Sequence, residues 1–329
     1  MERLRQGSLE TNPFEVIRKT ERLIRKFPSF QGKVQLAIAG LSVKDSQARQ
    51  VIANHYGVKY EEMGFCTKAF ADTVAPQADN TDMGICATEF YMFIDILDDL
   101  VDDHSASFSQ KATYLEKART ILRGEVLKSE NSNMEAMICL TNDLCRRVAG
   151  FSIFPDGVNV FIGRGLKTID TLYREARKQS QIRSLVALAQ VGRGCSEPLM
   201  ELIHCKLGDA SFFGPAGSLV SIGNILDDYW DVVKDKKRGK STFLTISLPE
   251  KEMGDREIIL RTLVNYRTHA LAINYVSRLF TRAMAPLGKD RQESVLAIAL
   301  FAQIGVLKRR YESVKAFLSR KTLPNKTGT

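Results

Sequence analysis

Apolar residues along the chain recur mainly at spacings of three and four. Phe14 and Ile17 begin this pattern, and Met137 and Leu140 repeat it near the middle of the chain. The spacing predicts amphipathic helices, because residues three or four apart lie on the same helix face. Two-residue alternation is nearly absent, and the best strand candidate, residues 158–162, is too isolated to build a sheet. We therefore predict an all-α fold with about ten or more helices.

The prolines are scattered between these periodic segments. At positions such as Pro28 and Pro155 they would end helices without dividing the chain into domains, because proline lacks the N–H that a helix interior uses. We predict a single helical domain over residues 1–329, with residues 1–30 and 321–329 at its periphery.

Composition and charge exclude several classes of protein. Hydrophobic residues make up 44% of the 329-residue chain and charged residues 26%, which is typical of a globular protein and not of a disordered or collagen-like one. The net charge of +9 is concentrated near the C-terminus, where residues 308–329 hold seven basic side chains and one acidic one. No nucleic-acid-binding signature accompanies them, so nucleic acid is not an expected partner.

Cysteine spacing and hydrophobicity bear on the cellular setting. The six cysteines form no C-x-x-C pair, which predicts reduced thiols. Residues 294–307, one of the two longest uncharged stretches, number 14, which is short of the ~20 that a membrane-spanning helix needs. Residues 1–26 lack the apolar region of a secretory signal. We predict a soluble, cytoplasmic protein without a transmembrane segment.

Four carboxylates share one face of a predicted helix early in the chain. Asp95, Asp98, Asp99 and Asp102 stand at positions i, i+3, i+4 and i+7, among Phe, Ile, Leu and Val. A solvated acidic face would usually interleave Lys or Arg, which this one lacks. Half-buried carboxylates are costly without a cation, and oxygen ligands without His or Cys suit Mg²⁺ or Mn²⁺. We interpret the segment as a metal-binding helix.

A second acidic helix is predicted much later in the chain. Asp227, Asp231 and Asp235 stand at i, i+4 and i+8, so that one face presents three carboxylates. Residues 234–240 then hold five basic side chains. A charge run alone is typical of a solvated loop. Beside carboxylates it indicates a phosphate clamp, because Mg²⁺ is commonly held by a few carboxylates plus substrate phosphates.

The two acidic segments together resemble the paired metal-binding motifs of class I isoprenoid synthases, the group of terpene synthases, trans-prenyl diphosphate synthases and squalene/phytoene synthases. Residues 98–102 read Asp-Asp-Leu-Val-Asp, a full D-D-x-x-D motif. Residues 227–231 read Asp-Asp-Tyr-Trp-Asp, followed by Asp235 and a G-K pair, as in chain-elongating prenyltransferases. The same stretch also fits the N-D-x-x-S-x-x-x-E motif of terpene synthases, with aspartate at the N, S and E positions.

Two further features favour a terpene synthase within this group. Arg310 and Tyr311 resemble the Arg-Tyr pair in the last helix of microbial-type terpene synthases. Elongating prenyltransferases carry an arginine pair soon after the first motif, whereas here no arginine follows before Arg119. Near the N-terminus only Gly32 and Lys33 match their G-G-K-R-x-R-P stretch. A reaction that consumes one allylic diphosphate is therefore favoured.

The resemblance implies a helical bundle with a central active-site cavity and a Mg²⁺-dependent enzyme. The ligands expected for three Mg²⁺ ions, with Mn²⁺ as an alternative, are Asp98, Asp99, Asp102, Asp227, Asp231 and Asp235. The side chains expected to contact the diphosphate or the prenyl chain are Lys234, Arg238, Lys240, Phe90, Phe93 and Trp230. The expected catalytic residues are Arg310, Tyr311 and, between the two motifs, Arg193 or Arg177.

The sequence thus predicts a terpene synthase, a carbon–oxygen lyase that ionises a linear prenyl diphosphate, with a farnesyl or geranylgeranyl chain favoured. Two alternatives stay open. One is a prenyltransferase of the same fold, chain-elongating or head-to-head, and the other is a non-catalytic helical protein that only binds cations. A homodimer is also left open. Chain length and product skeleton depend on the contour of the pocket, which a motif does not encode.

Overall fold

The computed structural model describes residues 11–102, 105–125, 131–177, 184–237 and 242–321. The regular elements in these ranges are helices, which confirms the all-α prediction and a single helical bundle. A short 3-10 helix, Thr245–Ser247, precedes α10. The α-helices are α1 (Pro13–Ala39), α2 (Ser46–His55), α3 (Val58–Val74), α4 (Thr81–Asp102), α5 (Phe108–Leu122), α6 (Ser132–Phe151), α7 (Gly157–Arg177), α8 (Leu185–Leu207), α9 (Phe213–Lys237), α10 (Asp255–Leu263), α11 (Tyr266–Met284) and α12 (Lys289–Lys321).

Short polar side chains mark several helix starts. Asn12, Asp45 and Asn131 each accept a hydrogen bond from a backbone N–H in the first turn of α1, α2 and α6. Ser107 and Gln110 form a capping box at the start of α5. Such caps satisfy N–H groups that have no partner inside the helix. These boundaries are therefore encoded locally in the sequence.

The strand candidate, residues 158–162, lies inside α7. Its two valines and its isoleucine favour a strand by propensity, but that preference spans only about 1 kcal/mol. Phe161 is buried on the face of α7 that packs against Phe90 of α4. Burial of this helical face outweighs the propensity, and the segment is helical, in agreement with the all-α prediction.

Pro28 lies inside α1 and does not end it. A proline in a helix interior costs roughly 3 kcal/mol through a lost hydrogen bond and a clash with the preceding turn. Phe27 and Phe30 flank it and pack with Phe65 of α3 and Phe301 of α12, with ring centroids 5.2–5.4 Å apart. This aromatic cluster anchors both sides of the proline, so the prediction that Pro28 ends a helix is wrong.

The described part of the 1–30 segment belongs to α1, which packs against α12. The backbone N–H of Asn12 donates to Glu293 Oε1 (3.1 Å), and Lys19 Nζ donates to Asp290 Oδ1 (2.6 Å). Thr20 is buried between the two helices and donates its hydroxyl hydrogen within α1. Polar contacts therefore fix the start of α1 to the start of α12.

α4 runs through the centre of the core and packs against α3, α5, α6 and α8. Phe90, Met92 and Ile96 are buried along it. The approach of α3 is close, because Gly64 and Gly84 leave no space for a Cβ atom between the two backbones. None of the helices in the described ranges has an apolar run that could cross a membrane.

Candidate functional site

The orientation of α8 relates the two acidic segments to each other. Late in α8, Lys206 Nζ donates to the carbonyl oxygen of Asp79, just before α4 begins. Midway along α8, burial and the charge of Asp98 raise the pKa of the Cys195 thiol to about 12. The contact of Lys206 and this effect of Asp98 indicate that α4 and α8 run antiparallel, so the last turns of α4 approach the middle of α8. We call the end of the bundle that holds the last turns of α4 the acidic end.

α7 and α9 also run antiparallel to α8. Ser221 Oγ of α9 donates to the carbonyl oxygen of Ala189 (2.8 Å), and Thr168 Oγ1 of α7 donates to that of Gly194 (2.7 Å). Both helices continue past these contacts toward the acidic end. The second half of α9 therefore reaches the same end as α4, and so does the last turn of α7, which carries Arg177. The side chain of Arg177 is outside the described part of the chain.

The first acidic segment occupies the last turns of α4. Asp95 is partly buried, and its Oδ2 lies 2.9 Å from His55 Nδ1. Asp98 and Asp99 are exposed, and Asp99 Oδ2 lies 3.8 Å from His55 Nε2. Asp102 ends the helix, with its side chain outside the described residues. The imidazole of His55 thus lies between two carboxylates that are one helical turn apart.

Tyr60 approaches the same carboxylates from the start of α3. Burial, a hydrogen bond to Asp95 and the charges of Asp95, Asp99 and Asp98 raise the pKa of Tyr60. Its hydroxyl therefore stays protonated and donates to Asp95. Tyr60 and His55 were not predicted from the sequence, because they lie far upstream of the motif and form no motif of their own. Only the packing of α2 and α3 on α4 brings them to Asp95.

The second acidic segment lies on α9, with its carboxylates at different depths. Asp235 is 4% exposed and Asp228 5%, whereas Asp231 is intermediate and Asp227 is exposed. Asp228 and Asp235 are seven residues apart and share the packed face of α9 with Val232. Of the three predicted ligands on this helix, Asp235 is therefore buried with Asp228, Asp231 is partly buried and Asp227 is exposed.

Few of the predicted diphosphate-binding cations lie in the described ranges. Lys234 is exposed, with its Nζ 3.9 Å from Asp231 Oδ2. Arg238 and Lys240 lie outside the described residues. Lys237 pairs with Asp255 at the start of α10, with 2.5 Å between Nζ and Oδ1. In the described part of α9, Lys234 therefore lies next to a carboxylate of the second motif.

The Arg-Tyr pair lies on α12, near the start of α3. Tyr311 is 65% exposed, and the side chain of Arg310 is outside the described residues. The preceding Arg309 forms an ion pair with Glu62 of α3. Glu62 lies in the first turns of α3, two residues after Tyr60, which donates a hydrogen bond to Asp95. The ion pair therefore connects the segment of α12 that carries Arg310 and Tyr311 to the helix that contacts the acidic end.

Arg193 lies on the side of α8 that faces α9, where its side chain approaches Gly217. Arg193 is exposed and lines a cavity of about 340 Å³ with Ser218 of α9 and Arg282 of α11. Of the two arginines proposed between the motifs, Arg177 is therefore the one on a helix end that reaches the acidic end.

The aromatic residues next to the motifs differ in environment. Phe90 is 1% exposed and Phe93 2%, and their stacked rings have centroids 6.5 Å apart. Phe161 packs against Phe90 at 5.7 Å. Trp230, by contrast, is 47% exposed beside the second motif. The two phenylalanines thus belong to the core beneath the acidic end, and Trp230 lies on its surface.

The donor chemistry of the acidic end fits Mg²⁺. Its carboxylates are hard oxygen ligands, and no three His, Cys, Asp or Glu side chains within the described ranges are gathered into a ready metal cage. Mg²⁺ needs no such cage, because it retains water and is usually held by one or two carboxylates plus substrate phosphates. The acidic end could therefore hold Mg²⁺ when a diphosphate supplies the remaining oxygens.

Comparison with known proteins identifies a fold and no family. No family model and no curated protein matches the chain. Among solved structures, it is similar to a mutant of the SVS_A2 protein from ancestral sequence reconstruction, with a TM-score of 0.52 and 11% identity over 84% of this chain and 81% of that one. A second SVS_A2 structure gives a TM-score of 0.49 and 12% identity over 89% and 84% of the two chains. The first likeness shows a shared fold alone.

Proposed function

We propose that the protein is a Mg²⁺-dependent class I terpene synthase that acts in the cytoplasm on a linear prenyl diphosphate. The observation that supports this proposal is the convergence of helix ends. α4 and α9 bring their carboxylates to one end of an all-α bundle, and α7 brings Arg177 to the same end. Two acidic helix faces that were only solvated would not have to lie at the same end of the bundle.

The aspartates would hold the metal from two sides. Asp98, Asp99 and Asp102 of α4 would bind it from one side, and Asp231 and Asp235 of α9 would bind it from the other. When bound, Mg²⁺ supplies positive charge that stabilises the leaving diphosphate. Carboxylates on separate helices can adjust their separation to a ligand more easily than neighbours on one helix, which suits ions that are bridged by substrate oxygens.

The basic residues would bind the diphosphate oxygens that the metal leaves uncovered. Lys234, Arg238 and Lys240 follow the second motif, and each can donate hydrogen bonds to phosphate oxygens. Arg310 and Tyr311 would close the acidic end from α12 and keep water from the allylic cation. Beneath them the prenyl chain would meet an apolar and aromatic interior that offers no nucleophile.

His55 and Tyr60 would act on Asp95 rather than on the substrate. Both contact the partly buried Asp95. Asp98 and Asp99 are exposed, and Asp99 Oδ2 lies 3.8 Å from His55 Nε2. Asp95 would therefore support the end of α4, and the exposed carboxylates would bind the metal.

A substrate panel tests the proposal. Diphosphate release and organic products are measured with geranyl, farnesyl, geranylgeranyl and geranylfarnesyl diphosphates, with and without isopentenyl diphosphate. A terpene synthase releases diphosphate from one substrate alone and gives a terpenoid on gas chromatography. Release that requires isopentenyl diphosphate, or a product of two joined chains, would instead identify a prenyltransferase. No release from any substrate in a protein that still binds Mg²⁺ would favour the non-catalytic cation-binding protein.

A further inference from the structure

A group of large apolar side chains is exposed where α10 meets α11. Leu263 (64%), Val264 (72%) and Tyr266 (73%) lie within four residues of one another at the turn. Leu260 of α10 and Leu271 of α11 (66%) extend the exposed surface along both helices. We call these five residues the apolar corner. An exposed cluster of this kind marks an interaction surface more often than scattered apolar residues do.

The apolar corner is held in place by the opposite faces of its two helices. Ile258 of α10 and Leu279 of α11 are buried in two packed clusters. His269 Nε2 donates to the carbonyl oxygen of Thr262 (2.8 Å), and its Nδ1 lies 3.0 Å from Tyr229 Oη of α9. These contacts brace the turn against the bundle, so the apolar residues are presented outward on a fixed support.

Positive charge surrounds the apolar corner. α11 contains no acidic residue. Arg256, Arg267 and Arg278 are exposed and have no carboxylate partner among the described residues. The two acidic residues of α10 are already paired, Asp255 with Lys237 and Glu257 with Arg261. The surface therefore combines exposed apolar side chains with arginines that lack a counter-charge.

We propose that the apolar corner docks onto the surface of an anionic lipid bilayer. Apolar side chains would enter the boundary between headgroups and acyl chains, while Arg256, Arg267 and Arg278 contact lipid phosphates, as in interfacial amphipathic helices. A second copy of the chain fits less well, because a two-fold interface would bring the same unpaired arginines of both copies together. The proposal is independent of the proposed enzymatic function.

Vesicle sedimentation of the full-length protein tests this proposal. Vesicles of phosphatidylcholine alone are compared with vesicles that also contain phosphatidylglycerol. The protein should sediment with the anionic vesicles and be released by high salt. Replacing both Leu263 and Val264 by serine should weaken partitioning at least tenfold. Arg267→Gln should weaken it about fivefold, the contribution expected of one arginine near an anionic surface.

Matched controls lie on α1, far from the corner in sequence. Leu36 (76% exposed) and Ile24 (44% exposed) are replaced together by serine, and Arg22→Gln removes an exposed arginine. Both controls should sediment as the wild type does. Absence of sedimentation with anionic vesicles, or equal effects of corner and control variants, would overturn the proposal. So would a wild-type dimer in analytical ultracentrifugation that the double serine variant of the corner converts to monomer.

Discussion

Asp98 is the exposed carboxylate of the first motif that lies close to α8. We expect Asp98→Asn to lower turnover about a hundredfold or more, because it removes charge where the leaving diphosphate must be stabilised. Helix content by circular dichroism should not change, since the side chain is exposed. Glu252→Gln, at an exposed carboxylate before α10, should keep the wild-type rate. Wild-type turnover in a folded Asp98→Asn protein would exclude Asp98 from the site.

Glu89 is the fully buried carboxyl group of α4 and lies near Asp143 and Arg147 of α6. Burial, a hydrogen bond with Asp143 and the charge of Asp143 raise its pKa well above the usual range. The stability that the protonated group contributes is complete below the unfolded-state pKa of about 4.3 and is lost as pH rises toward the folded-state pKa. Protonated Glu89 therefore stabilises the fold, and its ionisation destabilises it.

We expect Glu89→Gln to remove this pH dependence. The variant should melt at a higher temperature than the wild type at pH 8, and the difference should shrink toward pH 5, at about 1.4 kcal/mol per unit of pKa shift. Glu201→Gln is the control, because Glu201 is equally buried but pairs with Arg164 Nε at 3.2 Å. That control should be destabilised at pH 8. A Glu89→Gln variant that is destabilised in the same way would show that Glu89 is ionised in the fold.

At the scale of elements, the contact between α3 and α4 depends on two glycines. A Cβ on Gly64 would collide with the carbonyl oxygen of Gly84 and with Thr88 Oγ1. We expect Gly64→Ala to destabilise the fold by about 2–3 kcal/mol, because backbone atoms cannot move aside as a flexible side chain does. Denaturant unfolding measures the change.

Gly163 of α7 provides the matched control for Gly64. A Cβ at this helical glycine meets nothing within 4 Å. Gly163→Ala should therefore stabilise the protein by roughly 0.5–1 kcal/mol, since alanine restricts the unfolded chain and favours the helix. If Gly64→Ala also stabilises the protein, helix propensity rather than the contact between α3 and α4 governs this position.

Helices were predictable from the sequence where their signals are local. Asp95 and Asp98 lie on α4, and residues 227–235 lie on α9, as their spacing predicted. The prediction that Pro28 ends a helix was wrong, and the strand propensity of residues 158–162 was misleading, because distant packing overrides the local preference at both places. The partners that decide them, Phe90 for α7 and Phe301 for α1, lie far away in the chain.

Across the protein, the motifs predicted which residues could form a site but not which neighbouring side chains support them. Residues three or four apart on one helix share a face, so the spacing of Asp95, Asp98 and Asp99 was informative. The hydrogen-bond partners of Asp95, by contrast, come from α2 and α3, and only the tertiary fold brings His55 and Tyr60 to it. Depth is likewise a tertiary property, which is why Asp228 rather than Asp227 turned out to be buried.

In the proposed function, the carboxylates of α4 and α9 form one metal site once a diphosphate joins them. Electron paramagnetic resonance can count bound Mn²⁺ with and without inorganic diphosphate, in the wild type and in Asp98→Asn and Asp231→Asn. We predict weak Mn²⁺ binding alone, much tighter binding with diphosphate, and loss of the tight sites in either variant, because each helix contributes ligands to the same ions. Mn²⁺ binding that is unaffected by diphosphate, or that only one of the two variants reduces, would contradict the account.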